Sequence, residues 1–279
     1  MPNRLAGRTI VMSGGSRGIG LAILVAAARE GANAVLMAKT GAPDPRLPGT
    51  VHTAVEEIQA AGGKAVAVVG DVRVEADVER AAATAVEQFG GIDIVINNAS
   101  ALNMAGTEAL TPKRFDLMQQ INSRGTFLLT RACLPHLKES EDAQIVTLSP
   151  PINLAPEWLG KFPAYMISKY GMSLLTLGWA AEFAPGEDGT AGVRANCLWP
   201  QTTIATAAVI NLLGGEEAAA RSRTPEIMGD AAVALLSDPA KPTGQTLIDV
   251  DVLAAAGITD LSPYGGTDDP ELDFFVDKR

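Results

Sequence analysis

Residues 9–31 read TIVMSGGSRGIGLAILVAAAREG, and the order of residue types in this stretch decides the fold. Thr9–Ser13 is a short apolar run of strand character, and the Ala- and Leu-rich segment after Gly20 has the periodicity of an amphipathic helix. Between them Gly14, Gly18 and Gly20 make a GxxxGxG turn. Glycine lets a backbone turn sharply and come close to a ligand, and a helix N-terminus offers N–H donors and positive dipole potential. With a strand before it and a helix after it, the turn reads as a cradle for a dinucleotide pyrophosphate.

The same strand–helix rhythm continues along the 279 residues. Further strands are predicted at Ala34–Ala38, Ala65–Gly70, Ile92–Asn97, Gln144–Leu148, Val193–Leu198 and Gln245–Val250, with helical segments between them. Strands alternating with helices build a doubly wound parallel sheet with helices on both faces. With 47% hydrophobic but only 5% aromatic residues, the apolar content is carried by aliphatic side chains, which suits that packing. Pro43, Pro45 and Pro48 read as a loop, and no linker divides the chain. One α/β domain over residues 1–279 is expected, ending in an acidic tail from about residue 260.

Composition excludes several classes. A balance of 22 basic against 32 acidic side chains gives −10, which repels phosphate backbones, so nucleic acid is not an expected partner. Much of the tail from Asp268 to Asp277 is acidic and is expected to be a solvated terminus. Cys133 and Cys197 lie in apolar runs and read as reduced core residues. Neither they nor His52 and His136 have ligand spacing, so no metal is expected. The N-terminal apolar stretch is too brief for a signal segment or a membrane span, and a soluble, cytoplasmic enzyme is the default expectation.

Many NAD-binding folds carry an acid at the end of the second strand to grip the adenosine ribose. Here that segment reads VLMAKTG, with Lys39 and no carboxylate. Lys39 and Arg17 are placed to neutralise a 2′-phosphate, which favours NADP(H) over NAD(H).

Tyr165 and Lys169 stand four apart in PAYMISKYGMSLLTLGWAAEF, on one face of a predicted helix. An adjacent ammonium is expected to stabilise the phenolate and draw its pKa down from about 10, making Tyr165 a general acid/base. Before this pair come INNAS (residues 96–100) and INSRG (residues 121–125). In this order, Ser13, Gly14, Gly18 and Gly20, then Asn97, Asn98 and Ala99, then Asn122, then Tyr165 and Lys169 resemble the signature of the short-chain dehydrogenase/reductase family. SPPINLAPEW, WPQTTIATAA and the ending DFFVD are similar to its hydroxysteroid dehydrogenase-like branch. Longer members of that branch append a sterol-carrier domain, which is not expected within these residues.

The resemblance implies a Rossmann-type fold, a homodimer or homotetramer, and a hydride transfer between nicotinamide and a carbonyl or secondary alcohol. By carry-over, Tyr165 is the acid/base, Lys169 binds the nicotinamide ribose and tunes Tyr165, and Asn122 holds a proton-relay water. Ser13, Gly14, Ser16, Arg17, Gly18, Ile19 and Gly20 would surround the phosphates. Asp71 and Val72 would flank the adenine, and Asn98 and Ala99 the nicotinamide side. Two positions depart from the family pattern. Members often have two consecutive serines where this chain has Ser149 and Pro150: either Ser149 is the carbonyl-polarising donor, or the catalytic place is the second and is held by Pro150, which cannot donate. Pro200-Gln201 replaces Pro-Gly before a loop in which Thr202 and Ile204 would meet the cofactor. Trp158, Leu159, Phe162, Trp199, Leu212 and Leu213 suggest an apolar lining for an acyl, lipid or steroid-like small molecule. The alternative is an NADP(H)-binding sensor or scaffold with little catalysis.

Overall fold

The computed structural model describes residues 3–44, 49–186, 191–211, 215–267 and 270–278. Pro45, Pro48, Leu212, Leu213 and Asp268 lie outside the described residues. Seven strands, β1 (Thr9–Ser13), β2 (Asn33–Ala38), β3 (Lys64–Val69), β4 (Ile94–Asn97), β5 (Gln144–Leu148), β6 (Arg194–Trp199) and β7 (Thr246–Ile248), form one sheet. Its order is β3-β2-β1-β4-β5-β6-β7, and every neighbouring pair is parallel. The helices are α1 (Gly18–Arg29), α2 (Val51–Ala60), α3 (Glu75–Phe89), α4 (Pro112–Gln119), α5 (Gly125–Leu137), α6 (Pro156–Lys161), α7 (Pro163–Glu182), α8 (Ala207–Val209), α9 (Gly215–Arg221), α10 (Glu226–Leu236) and α11 (Asp249–Ala255).

Two apolar layers sandwich the sheet, as a doubly wound single domain requires. Ile10 and Met12 of β1 and Ile94 and Ile96 of β4 pack with residues of α1, α2 and α10. The intervening Val11 and Val95 point the other way, into the layer of α3, α5 and α7. Side chains alternate across a strand, and with both faces covered every residue of β1 and β5 is buried. That is why these strands read as continuous apolar runs.

β1 and β5 fall where expected, and the other strands shift by one or two residues at one or both ends. β4 begins at Ile94 rather than Ile92. β7 stops at Ile248 rather than Val250, because Asp249 opens α11 and its carboxylate accepts from the Val250 amide at 2.7 Å. Between β1 and β4 the strand order reverses, and the crevice beyond the carboxyl ends at such a switch point is where α/β sheets bind ligands. Ser13, Asn97, Ser149 and Pro200 all lie at or just past such ends.

Candidate active site

The glycine turn is shaped by its neighbours. Gly14 has φ +76 and Gly18 φ +54, backbone that disfavours a side chain. A Cβ on Gly14 would lie 2.9 Å from the Ala99 Cα, and one on Gly20 2.5 Å from the Gly14 carbonyl oxygen. Those approaches let the turn pack against the end of β4. Asn98 Nδ2 donates to the Gly14 carbonyl at 2.8 Å, and the amides of Asn98 and Ala99 donate to Ser13 Oγ at 3.3 and 3.2 Å. Ser16 is buried and Ile19 partly so, against the core under the turn. At the start of α1, Arg17 makes no side-chain cap and the first turn holds no acidic residue. No acid of the helix's own first turn competes for its first amides, and the residues present fit a bound pyrophosphate.

Beyond β2, Lys39 is 61% exposed and its Nζ lies 3.6 Å from Asp71 Oδ2. Asp71 already accepts from Arg73, whose Nε and Nη2 lie 3.0 and 2.6 Å from its oxygens. That hydrogen-bonded guanidinium holds the carboxyl down at about 2. Two cations thus share one carboxylate, leaving a positive surplus where adenosine is expected. Arg17 Nη2 donates to the Gly49 carbonyl at 2.9 Å. Val72 is buried and packs on Gly125, where an added Cβ would meet its Cγ1 at 2.8 Å.

Asn122 occupies a π turn, Gln120–Arg124, that joins α4 to α5, an irregularity that often marks functional positions. The side chain is fully buried. Its Oδ1 accepts from the Ala101 amide at 2.7 Å, and Nδ2 donates to the Ala101 carbonyl at 3.0 Å and to Ser168 Oγ at 2.8 Å. Ser168 Oγ in turn donates to the Tyr165 carbonyl at 2.7 Å. The segment following β4 is therefore hydrogen-bonded through Asn122 to the helix that carries Tyr165.

Tyr165 and Lys169 are both buried on α7, but their electrostatics differ from expectation. Lys169 Nζ donates to the Leu148 carbonyl at 2.6 Å and stands 4.8 Å from the Trp199 ring centroid. Burial pushes its pKa down to about 7, against the pull of Asp273. The phenol of Tyr165 is pushed up, by burial first and by Asp273 second. On the phenol, burial and Asp273 are the leading influences. An i, i+4 spacing puts two Cα atoms on one face, but the long lysine stem turns to the ends of β5 and β6.

Ser149 Oγ is buried beside the Cys197 thiol, with no oxygen or nitrogen partner among the described residues. Pro150 accepts on its carbonyl from Ser173 Oγ at 2.6 Å. After β6, Pro200 is buried, Thr202 Oγ1 donates to the Thr203 carbonyl at 3.3 Å, and Ile204 is buried and bridged to Arg223.

Over residues 271–277 the tail is docked rather than a solvated terminus. Leu272 forms an antiparallel bridge with Thr202. The Thr203 amide donates to the Glu271 carbonyl at 3.0 Å, and the Asp273 amide to the Gln201 carbonyl at 3.0 Å. Trp199 Nε1 donates to the Phe274 carbonyl at 3.0 Å and Asn153 Nδ2 to the Phe275 carbonyl at 3.4 Å. Asp277 accepts from Asn153 Nδ2 and Trp158 Nε1, both at 2.8 Å. Six such bonds at about 1 kcal/mol net each outweigh the roughly 1–3 kcal/mol of strain in Phe275, whose φ is +68. Phe275 is 1% exposed. Its ring stacks on Tyr165 with centroids 6.3 Å apart and planes at 28°, while Phe274 meets Tyr165 edge-on at 6.4 Å. Burial lifts the Asp273 carboxyl to about 7, opposed by the hydrogen bond from the Phe274 amide and by Lys169. Sequence reasoning missed Asp273, Phe274 and Phe275 as site residues. The signal available was three apolar residues, Phe274 to Val276, inside an acidic segment.

Among the described residues no helix is long and apolar enough to cross a membrane. Residues 8–214 match the short chain dehydrogenase family. Hydroxysteroid dehydrogenase-like protein 2 of Danio rerio is 49% identical over 276 residues, covering 98% of this chain and 65% of the relative. The Homo sapiens protein of that name is 45% identical over 282 residues, covering 100% and 66%. The chain thus spans just under two thirds of the length of these relatives. Among solved structures, a putative dehydrogenase from Xanthomonas campestris superposes with a TM-score of 0.92 at 49% identity, over 98% of this chain and 99% of that one. A short chain dehydrogenase from Mycobacterium thermoresistibile gives 0.90 at 52% identity, over 98% and 96%. With the ordered residues gathered at one end of a seven-stranded parallel sheet, the chain belongs to the short-chain dehydrogenase/reductase family, in its hydroxysteroid dehydrogenase-like branch.

Proposed function

We propose that the chain is an NADP(H)-dependent oxidoreductase acting on the carbonyl, or the corresponding secondary alcohol, of an apolar small molecule, with Tyr165 as the acid/base. One observation carries this reading. Hydrogen bonds link the end of β1 and its glycine turn to Asn98 and Ala99, and link Ala101 through Asn122 and Ser168 to Tyr165. The phosphate cradle and the phenol are thereby held in one frame.

Nicotinamide bound there supplies or takes up the hydride. In the reductive direction Tyr165, kept protonated by burial, donates to the carbonyl oxygen. Ser149 Oγ, with no oxygen or nitrogen partner among the described residues, fits a donor to the developing negative charge. Lys169 holds the nicotinamide ribose, and Asn122 holds the π turn and its relay water in register with α7. Tyr165→Phe should retain NADPH binding, followed by nucleotide fluorescence, and lose about 10²- to 10⁴-fold in turnover. Turnover near wild type would remove Tyr165 from the chemistry.

The positive surplus of Lys39 and Arg73 over Asp71 supports NADP(H). Lys39→Ala should raise KM for NADPH about tenfold, equivalent to ~1.4 kcal/mol, and leave KM for NADH unchanged. Equal effects on both cofactors would count against a 2′-phosphate contact.

A further inference from the structure

The tail brings two phenylalanines to the phenol, and their surroundings define a chemical environment. Phe275 lies 5.8 Å from Trp158 and 5.2 Å from Tyr170, centroid to centroid, and Phe274 lies 5.4 Å from Phe162 edge-on. With Tyr165 itself, these rings come from the contiguous stretch of α6, Phe162 and the N-terminal half of α7, and from the tail, two regions far apart in sequence. Ile152, Leu159 and Met118 complete the same apolar cluster. Two lysines border it: Lys169, faced by the Asp273 carboxyl and the Trp199 ring, and Lys161, whose Nζ stands 4.8 Å over the Trp158 ring. The two rings set against Tyr165, Phe274 and Phe275, offer no charge to an anionic substrate group.

We propose that Phe274 and Phe275 are specificity-determining residues. They form the wall of the substrate pocket over Tyr165 and select uncharged carbonyl compounds bearing an aryl or unbranched alkyl group. This rests on Tyr165 being the proton donor. Aromatic rings accept flat or linear apolar groups in offset and edge contacts, and a branched group beside the carbonyl collides with ring faces set this way. The tethers at Trp199, Gln201, Thr203, Asn153 and Trp158 make the segment a fixed part of the site. A plug that left on each turnover would break every one of them. The left-handed backbone at Phe275 supports the same view, because strain at a bulky residue persists where surrounding structure enforces a functional position.

The test measures kcat/KM with NADPH for acetaldehyde, octanal, benzaldehyde and trimethylacetaldehyde in wild type, Phe274→Ala, Phe275→Ala and Phe275→Leu. Thermal melting and NADPH affinity are recorded alongside. Phe275→Ala should lower kcat/KM for octanal and benzaldehyde by about 10- to 100-fold, chiefly through KM. Acetaldehyde should change by less than about threefold, and trimethylacetaldehyde should improve relative to octanal. Phe275→Leu should recover octanal more than benzaldehyde, and it carries the comparison if the alanine variant does not fold. A uniform loss across all four substrates would reduce the wall to structural support. A uniform gain would identify it as a plug, and either result overturns the proposal. If wild type reduces none of the four, the redox reading fails, and octanal binding is then followed by the fluorescence of Trp158 and Trp199 in the presence of NADPH. Binding weakened at least about tenfold by Phe275→Ala upholds the wall, and no binding to wild type refutes it.

Discussion

Just past β7 the carboxylate of Asp249 is fully buried, its Oδ1 accepting from the amides of Gln201 at 2.8 Å and Val250 at 2.7 Å and its Oδ2 without a partner among the described residues. Burial pushes its pKa from 3.8 up to about 6 despite those two donors. An acid raised in the folded state binds more protons there than in the unfolded chain. Stability therefore falls as pH rises from about 4 to about 6, and the full penalty, roughly 3 kcal/mol, stands at neutral pH. Asp249→Asn keeps an oxygen acceptor for both amides and carries no charge. Urea unfolding should show the variant gaining on wild type between pH 4 and pH 7.5 by about that amount. A difference between the two that does not change with pH would mean that Asp249 is neutral throughout or ionised at no cost. Two other buried residues at this end of the sheet follow the same physics: Lys169 is pulled down to about 7 and Asp273 pushed up to about 7. Each is buried in one frame with Tyr165, so the charge at the site is set by dehydration as well as by pairing.

At the level of elements, what could be read from sequence was what local chemistry determines. Ile10, Val11 and Met12 must sit in a strand covered on both faces, and the glycines after them admit few other turns. Arg17 to Gly20, Asn98 and Tyr165 then fall at the carboxyl end of the sheet by topology alone. Other features depend on partners remote in sequence, and these were not legible. The π turn at Asn122 exists because its side chain reaches the backbone of Ala101 on another segment. Spacing placed Lys169 on the face of Tyr165, yet the direction of its stem was set by the Leu148 carbonyl and the Trp199 ring. In the tail, net acidity was read as solvation, while Phe275 was bound for a site formed by Trp158, Tyr165 and Tyr170. Tail charge was not evidence against docking, because Asp277 meets two donors and Asp273 is held close to neutral by burial.

For the molecule as a whole, the helices opposite α1 leave an apolar face uncovered. Phe127 on α5 is 43% exposed, and Ile167 and Leu174 on α7 are 54% and 59% exposed. The two helices are neighbours in the layer that also covers β1 and β4. Large apolar side chains exposed on two neighbouring helices of a protein with −10 net charge are better accounted for by a partner than by water. A second copy of this chain, meeting α5 and α7 with the same helices, gives the self-complementary contact of a twofold dimer. Light scattering should therefore report a species at least twice the mass of one chain. Assembly should strengthen with added salt, since each copy repels the other and salt screens that repulsion. Ile167→Glu combined with Leu174→Glu places like charges across the twofold axis and should yield monomers whose circular dichroism matches wild type. A double variant that keeps its assembled mass would move the contact to another face, and a wild-type monomer at micromolar concentration would remove it.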